Sequence, residues 1–222
     1  MFEGEGSTVG PKGKILLEMY ERLLRRVGPR HWWPGESPFE VIVGAILTQN
    51  TSWTNVEKAI ENLKKAGILS PMEIRSLDRD ELAQVIRPSG FYRLKASRLK
   101  RFVDFFYDEF DGDMSRMRSQ GLSSLREKLL KVHGIGPETA DGILLYALEK
   151  PIFVVDAYTR RIFSRHDLIS GQGSYVEIQD MVMGELDRDV GLYNEFHALL
   201  VFLGKSWCRR IPRCGGCPLE GF

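Results

Sequence analysis

Along most of this chain apolar residues recur at intervals of three and four, the spacing of one face of an α-helix. Ile15, Leu16, Met19, Leu23 and Leu24 mark an amphipathic helix over residues 14–27, which Gly28-Pro29 ends. Phe39 to Leu47 is a nearly unbroken apolar run that reads as a buried helix. Trp53 to Ala66 follows as another, with Thr48-Gln49-Asn50-Thr51-Ser52 supplying polar side chains to cap it. Residues 71–88 read as a short helix with a proline stop. Residues 93–110 place Leu94, Leu99, Phe102, Val103 and Phe106 inward, with Lys95, Arg98, Lys100 and Arg101 outward. Leu122, Leu125, Leu129 and Leu130, then Ala140, Ile143, Leu144 and Ala147, predict two helices joined by a tight turn. Tyr175 to Leu186 and Tyr193 to Gly204 close the pattern. Ile152 to Val155 is apolar but too short for a convincing strand, so the chain is expected to be all-α.

The turn between the paired helices is His133-Gly134-Ile135-Gly136-Pro137. Its glycines permit positive backbone dihedrals and leave amides bare where the second helix begins, which suits a phosphate. An ordinary helical hairpin explains the same residues. Trp32 and Trp33 lie in a segment that Pro34, Gly35 and Pro38 keep from being helical; they either cap the core or form a wall for a flat ring. Asp156 follows an apolar run and precedes a basic helix, the position of an N-cap.

Charge and cysteine placement narrow the picture. With 31 basic and 30 acidic residues the chain carries no overall field that would mark a nucleic-acid binder, so any such surface is local. Candidate patches are Arg22, Arg25 and Arg26; Lys95, Arg98, Lys100 and Arg101; Arg160, Arg161 and Arg165; and Lys205 with Arg209, Arg210 and Arg213; each also reads as a solvated face. No apolar run has the length to span a bilayer, and Met1 to Gly13 is Gly-rich and acidic without an apolar signal core, so the chain is expected to be intracellular and cytoplasmic. Cys208, Cys214 and Cys217 fall within the last fifteen residues, which favours a local metal or cluster site over a disulfide framework; three reduced thiols are the plain alternative.

Gly134-Ile135-Gly136-Pro137-Glu138-Thr139-Ala140 followed by Val154-Val155-Asp156 resembles the helix-hairpin-helix motif and downstream aspartate of the endonuclease III superfamily of DNA glycosylases. His31-Trp32-Trp33-Pro34, Leu47-Thr48-Gln49-Asn50-Thr51 and Arg87-Pro88-Ser89-Gly90-Phe91-Tyr92 resemble its 3-methyladenine branch. The resemblance runs from about residue 31 to the end. It implies a two-lobed helix-hairpin-helix glycosylase fold: residues 1–30 as a tail and helix packing with the C-terminal lobe, 31–150 as a helical barrel carrying the hairpin, and 151–222 as the lobe with the aspartate and a cysteine loop of iron-sulfur type.

The resemblance also assigns roles. Asp156 becomes the catalytic carboxylate, which stabilises an oxocarbenium-like sugar and orients water. Bifunctional members carry a Schiff-base lysine where this chain has Glu138, and a carboxylate forms no imine, so base removal without strand cleavage is expected. Trp32, Trp33, Trp53 and Glu138 would form the base pocket, the electron-rich rings favouring a cationic alkylated purine. Gln49, assisted by Asn50, would enter the gap left by the flipped nucleotide, and Gly134, Gly136 and Thr139 would meet the DNA backbone. Cys208, Cys214 and Cys217 would hold a [4Fe-4S] cluster, with zinc as the rival. Their first gap is one residue shorter than the family's, and the fourth cysteine would fall just past Phe222. The expectation is a monomeric, monofunctional DNA glycosylase for 3-methyladenine-type bases in double-stranded DNA. The alternatives are thymine opposite guanine or an oxidised pyrimidine as the lesion, or a non-catalytic DNA-binding module.

Overall fold

The computed structural model describes residues 10–171 and 173–222. The acidic, Gly-rich stretch over residues 1–9, and Gln172 within the loop expected at Ser170 to Ser174, lie outside them. Every regular element among the described residues is helical. The chain divides into two compact units: Trp33–Lys150, and the segment up to Trp32 together with Pro151–Phe222.

Helix α1 (Pro11–Val27) belongs to the unit of the chain ends and buries Leu16, Met19 and Leu23. The central unit begins with α2 (Pro38–Leu47), where Pro38 fits the first turn and the Ser37 hydroxyl accepts the Glu40 amide at 3.2 Å. Every residue from Phe39 to Leu47 is buried, as the continuous apolar run predicts. Helix α3 (Trp53–Lys65) follows. The one helix expected over 71–88 is two, α4 (Pro71–Ser76) and α5 (Arg79–Val85), with a 3-10 turn at Arg87–Ser89. Leu77 is extended, and Asp78 restarts the helix by accepting the amides of Asp80 and Glu81. Local capping outcompetes continuity there.

Helix α6 (Tyr92–Phe110) corrects the expected facing of two residues. Leu94 is 45% exposed and Lys95 is buried. The reason is register: Lys95, Leu99, Phe102, Val103 and Phe106 share one helical face, and Leu94 lies off it. Helix α7 (Met114–Ser119) was not anticipated; Asp113 caps it. Helices α8 (Leu122–Lys131) and α9 (Pro137–Gly142) form the hairpin, and α9 runs on into a π-helical turn at Ile143–Ala147. Leu130, read as inward, is 36% exposed.

The remaining helices are α10 (Ala157–Arg165), α11 (Tyr175–Glu185) and α12 (Val190–Ser206). They pack with α1 in the unit of the chain ends, where the Glu185 carboxylate accepts the Gly13 amide at 3.0 Å. The extended stretch before α10 is core: Ile152, Phe153, Val154 and Val155 are all buried, and the Gln179 amide donates to the Phe153 carbonyl at 2.6 Å. No helix among the described residues is long and apolar enough to cross a membrane.

One ion pair closes the hairpin. Arg126 on α8 donates Nε to Asp141 Oδ1 at 2.7 Å and Nη2 to Oδ2 at 3.1 Å, and Asp141 is fully buried on α9. Arg126→Met would leave that carboxylate buried without its guanidinium, so it should destabilise the protein by about 3 kcal/mol. Urea unfolding checks this, and the double change with Asp141→Leu should recover most of the loss.

Candidate functional site

In the unit of the chain ends, the buried run Ile152–Val155 delivers Asp156 to the start of α10. Its side chain caps that helix: Oδ1 accepts the Thr159 amide at 2.7 Å and the Thr159 hydroxyl at 3.0 Å. The other oxygen, Oδ2, stands 3.7 Å from His197 Nε2 on α12, beyond hydrogen-bond distance. The carboxylate is 12% exposed. One oxygen is thus locked and the other is held in a fixed place at the edge of solvent. His197 is buried, with the edge of its ring system against Phe153 at 6.4 Å between centroids. Neither Thr159 nor His197 was singled out from sequence; a lone histidine in an apolar helix carries little signal.

In the central unit the hairpin turn binds side chains as well as presenting backbone. Gly134 has φ of 96°, and a Cβ there would run into the Arg98 side chain, so the position requires glycine. Gly136 does not use that freedom; its φ is −91° and it serves as the N-cap of α9. Gln49, expected to enter the gap left by a flipped nucleotide, is bound to the hairpin in this structure. Its Nε2 donates to the Gly134 carbonyl at 3.0 Å and to Thr139 Oγ1 at 2.9 Å, while Arg98 donates to its Oε1. Thr139, expected to meet the DNA backbone, is buried by the same contacts. Asn50 is exposed, in a left-handed conformation with φ of 54°. A second such turn presents Phe91, 68% exposed with φ of 45°. Outward aromatics in strained turns often mark functional positions.

Two of the three tryptophans expected in the base pocket come together within the central unit. Trp33 meets Trp53 edge-on at 5.0 Å and Tyr146 at 5.1 Å. Tyr146 lies in the π-helical turn, an irregularity that often accompanies function. Trp32 falls in the other unit, where the Lys205 ammonium sits 5.8 Å from its ring. Glu138 is exposed in the first turn of α9.

The cysteine loop is held by arginines once counted as a candidate DNA patch. Arg161 donates to the carbonyls of Cys208 and Gly204, and Arg165 donates to Cys208 Sγ at 3.2 Å and to the carbonyls of Arg209 and Arg210. Cys208 is buried, Cys214 exposed and Cys217 half-buried, and burial pushes the Cys217 thiol up. Among the described residues no three His, Cys, Asp or Glu side chains are gathered so as to hold a metal ion.

Residues 43–186 match the profile described as HhH-GPD superfamily base excision DNA repair protein. Over 213 residues the chain is 45% identical to MJ1434 of Methanocaldococcus jannaschii, provisionally named a DNA repair glycosylase, covering 95% of this chain and 96% of that one. The H. pylori 3-methyladenine DNA glycosylase MagIII, solved with 1,N6-ethenoadenine, superimposes with a TM-score of 0.75 at 32% identity, over 87% of this chain and 97% of that one. A non-covalent Endonuclease III–DNA complex shares the fold, with a TM-score of 0.81 at 22% identity over 94% and 96% of the two chains.

Burial lowers the pKa of His197 from its usual 6.5, and the Asp156 carboxylate pulls the other way. A histidine kept neutral when folded but free to protonate when unfolded contributes stability that is complete above the unfolded pKa. That contribution is lost as pH falls below about 6.5 toward the folded value. His166, also lowered by burial, acts in the same sense. Unfolding free energies compared at about pH 7.5 and about pH 5.5 should fall for the wild type, and fall less for His197→Asn.

Proposed function

The chain belongs to the HhH-GPD superfamily of base excision DNA repair proteins and is a DNA repair glycosylase, and from that premise we propose that it is monofunctional and removes alkylated purines of the 3-methyladenine kind from duplex DNA. The observation that carries the chemistry is the Asp156 carboxylate, with Oδ1 locked by Thr159 and Oδ2 set apart from those bonds. As the glycosidic bond lengthens, positive charge develops on the sugar, and a carboxylate that needs no reorganisation stabilises it. The bonding pair leaves with the base, water adds at C1′, and the water's proton departs through Asp156 or solvent.

The substrate class is supported by the Trp33, Trp53 and Tyr146 rings, whose faces attract a cationic base by about 0.5 to 2 kcal/mol per contact. The Lys205 ammonium against Trp32 makes that ring less suited to the same task. The 32% identity to a protein named a 3-methyladenine glycosylase points the same way. At the duplex, exposed Asn50 is the better placed of the pair for entering the gap, since Gln49 is bound to the hairpin. Gly134 and Gly136 remain the backbone contacts of the hairpin in this reading, and Glu138 excludes a Schiff base at the family's lysine position. The iron-sulfur reading of Cys208, Cys214 and Cys217 rests on the resemblance alone; iron, sulfide and zinc analysis of the purified protein decides it.

Chromatography of free bases from methylated duplex DNA should show 3-methyladenine, with strand breaks only after alkali. Release of thymine from G·T pairs or of oxidised pyrimidines instead would overturn the substrate assignment. Asp156→Asn should lower single-turnover excision by about a thousandfold with duplex affinity nearly unchanged. Glu138→Lys should yield a covalent DNA adduct on borohydride treatment that the wild type does not form; an adduct with the wild type would refute the monofunctional reading.

A further inference from the structure

Lys95 is 1% exposed and lies on the apolar face of α6. Its ammonium donates to the Leu47 carbonyl at 2.9 Å and to the Ser89 carbonyl at 2.6 Å. Leu47 is the last residue of α2 and Ser89 the last of the 3-10 turn. Two residues beyond Ser89 comes Phe91, and three beyond Leu47 comes Asn50. One buried charge therefore bonds the segments that lead into two turns, each of which carries an exposed residue in the left-handed conformation, Asn50 and Phe91, as His31, Asp111, Glu149 and Asp167 also do elsewhere. Such conformations persist in non-glycine residues only where the surroundings hold them.

Apolar packing alone does not explain the choice of lysine. Both hydrogen-bond partners are neutral carbonyls, and burial, with the Arg98 charge nearby, lowers the Lys95 pKa from 10.5 to about 8. A side chain like those of Leu99 and Phe102 on the same face would fill the space without burying a charge. What an apolar residue cannot do is bind two carbonyls from separate segments to one atom.

We propose that Lys95 is a positioning residue, whose ammonium fixes the Asn50 turn and the Phe91 turn at one separation so that both engage the duplex together while the damaged nucleotide is extruded. The inference rests on the base-extruding glycosylase reading above. Lys95 touches neither base nor sugar in it; its effect passes through the two turns.

The test compares Lys95→Met with wild type on one lesion in two settings, a duplex and a single strand that needs no opening. Displacing the turns should lower duplex excision by about a hundredfold and leave single-strand excision within about twofold. Equal losses on both substrates, or no loss on duplex, would overturn the proposal. Fluorescence of 2-aminopurine beside an abasic analogue reads duplex opening without any excision, and Lys95→Met should abolish its rise. If Lys95→Met fails to fold, a double-mutant cycle of Asn50→Ala and Phe91→Ala in the wild-type background reads the same linkage. Coupled losses in opening support it, and additive losses overturn it. A wild type that opens the duplex but releases no alkylpurine refutes the substrate reading alone, whereas one that opens no duplex refutes both.

Discussion

Helix ends are the constraint on which the central unit depends. The last carbonyls of a helix have no partner within it, so a donor from elsewhere must bond them wherever water does not. Here lysines do so from a distance in sequence. Lys95 bonds the ends of α2 and the 3-10 turn; Lys100 donates to the carbonyls of Ile74, Arg75 and Leu77 at the end of α4; Lys150 donates to those of Arg118 and Gln120 beyond α7. A full positive charge against the negative end of a helix is favourable twice over, by hydrogen bonding and by the dipole. Short helices such as α4, which gain little from their own length, are fixed to α6 in this way.

The same constraint changes how charge is read along this chain. Of the five cations of α6, Lys95, Arg98 and Lys100 are engaged with carbonyls or with Gln49, leaving Arg93 and Arg101 exposed. Arg161 and Arg165 likewise hold the cysteine loop. A near-balance of 31 basic and 30 acidic residues thus conceals cations with structural duties. The net charge therefore gives little long-range attraction to a polyanion, and any such attraction is local.

Asp156 is fixed by the amide and hydroxyl it accepts at the start of α10, and in the proposed reaction that fixing is what electrostatic stabilisation of a sugar cation asks for. The extended run before it has no strand to pair with, so its rigidity comes from burial of Ile152 to Val155 and from Gln179 on α11. His197, reaching Asp156 from α12, joins the site through packing alone.

Sequence by itself determined most of the helices, though not α7 or the break between α4 and α5, together with the hairpin turn and the candidate aspartate, because these rest on local physics. Apolar residues at helical spacing, Ser37 before Pro38, and Asp156 three residues before Thr159 act within one or two turns of chain. Register was equally local, and Lys95 could have been placed by its spacing from Leu99 and Phe102; the habit of turning lysine outward overrode the period. Only the tertiary structure decided that Gln49 binds Gly134, 85 residues away, and that Trp33 pairs with Trp53 while Trp32 meets Lys205. Those outcomes depend on which polar groups lose water when distant segments pack, and the bonds that replace that water form wherever the fold brings a donor within reach.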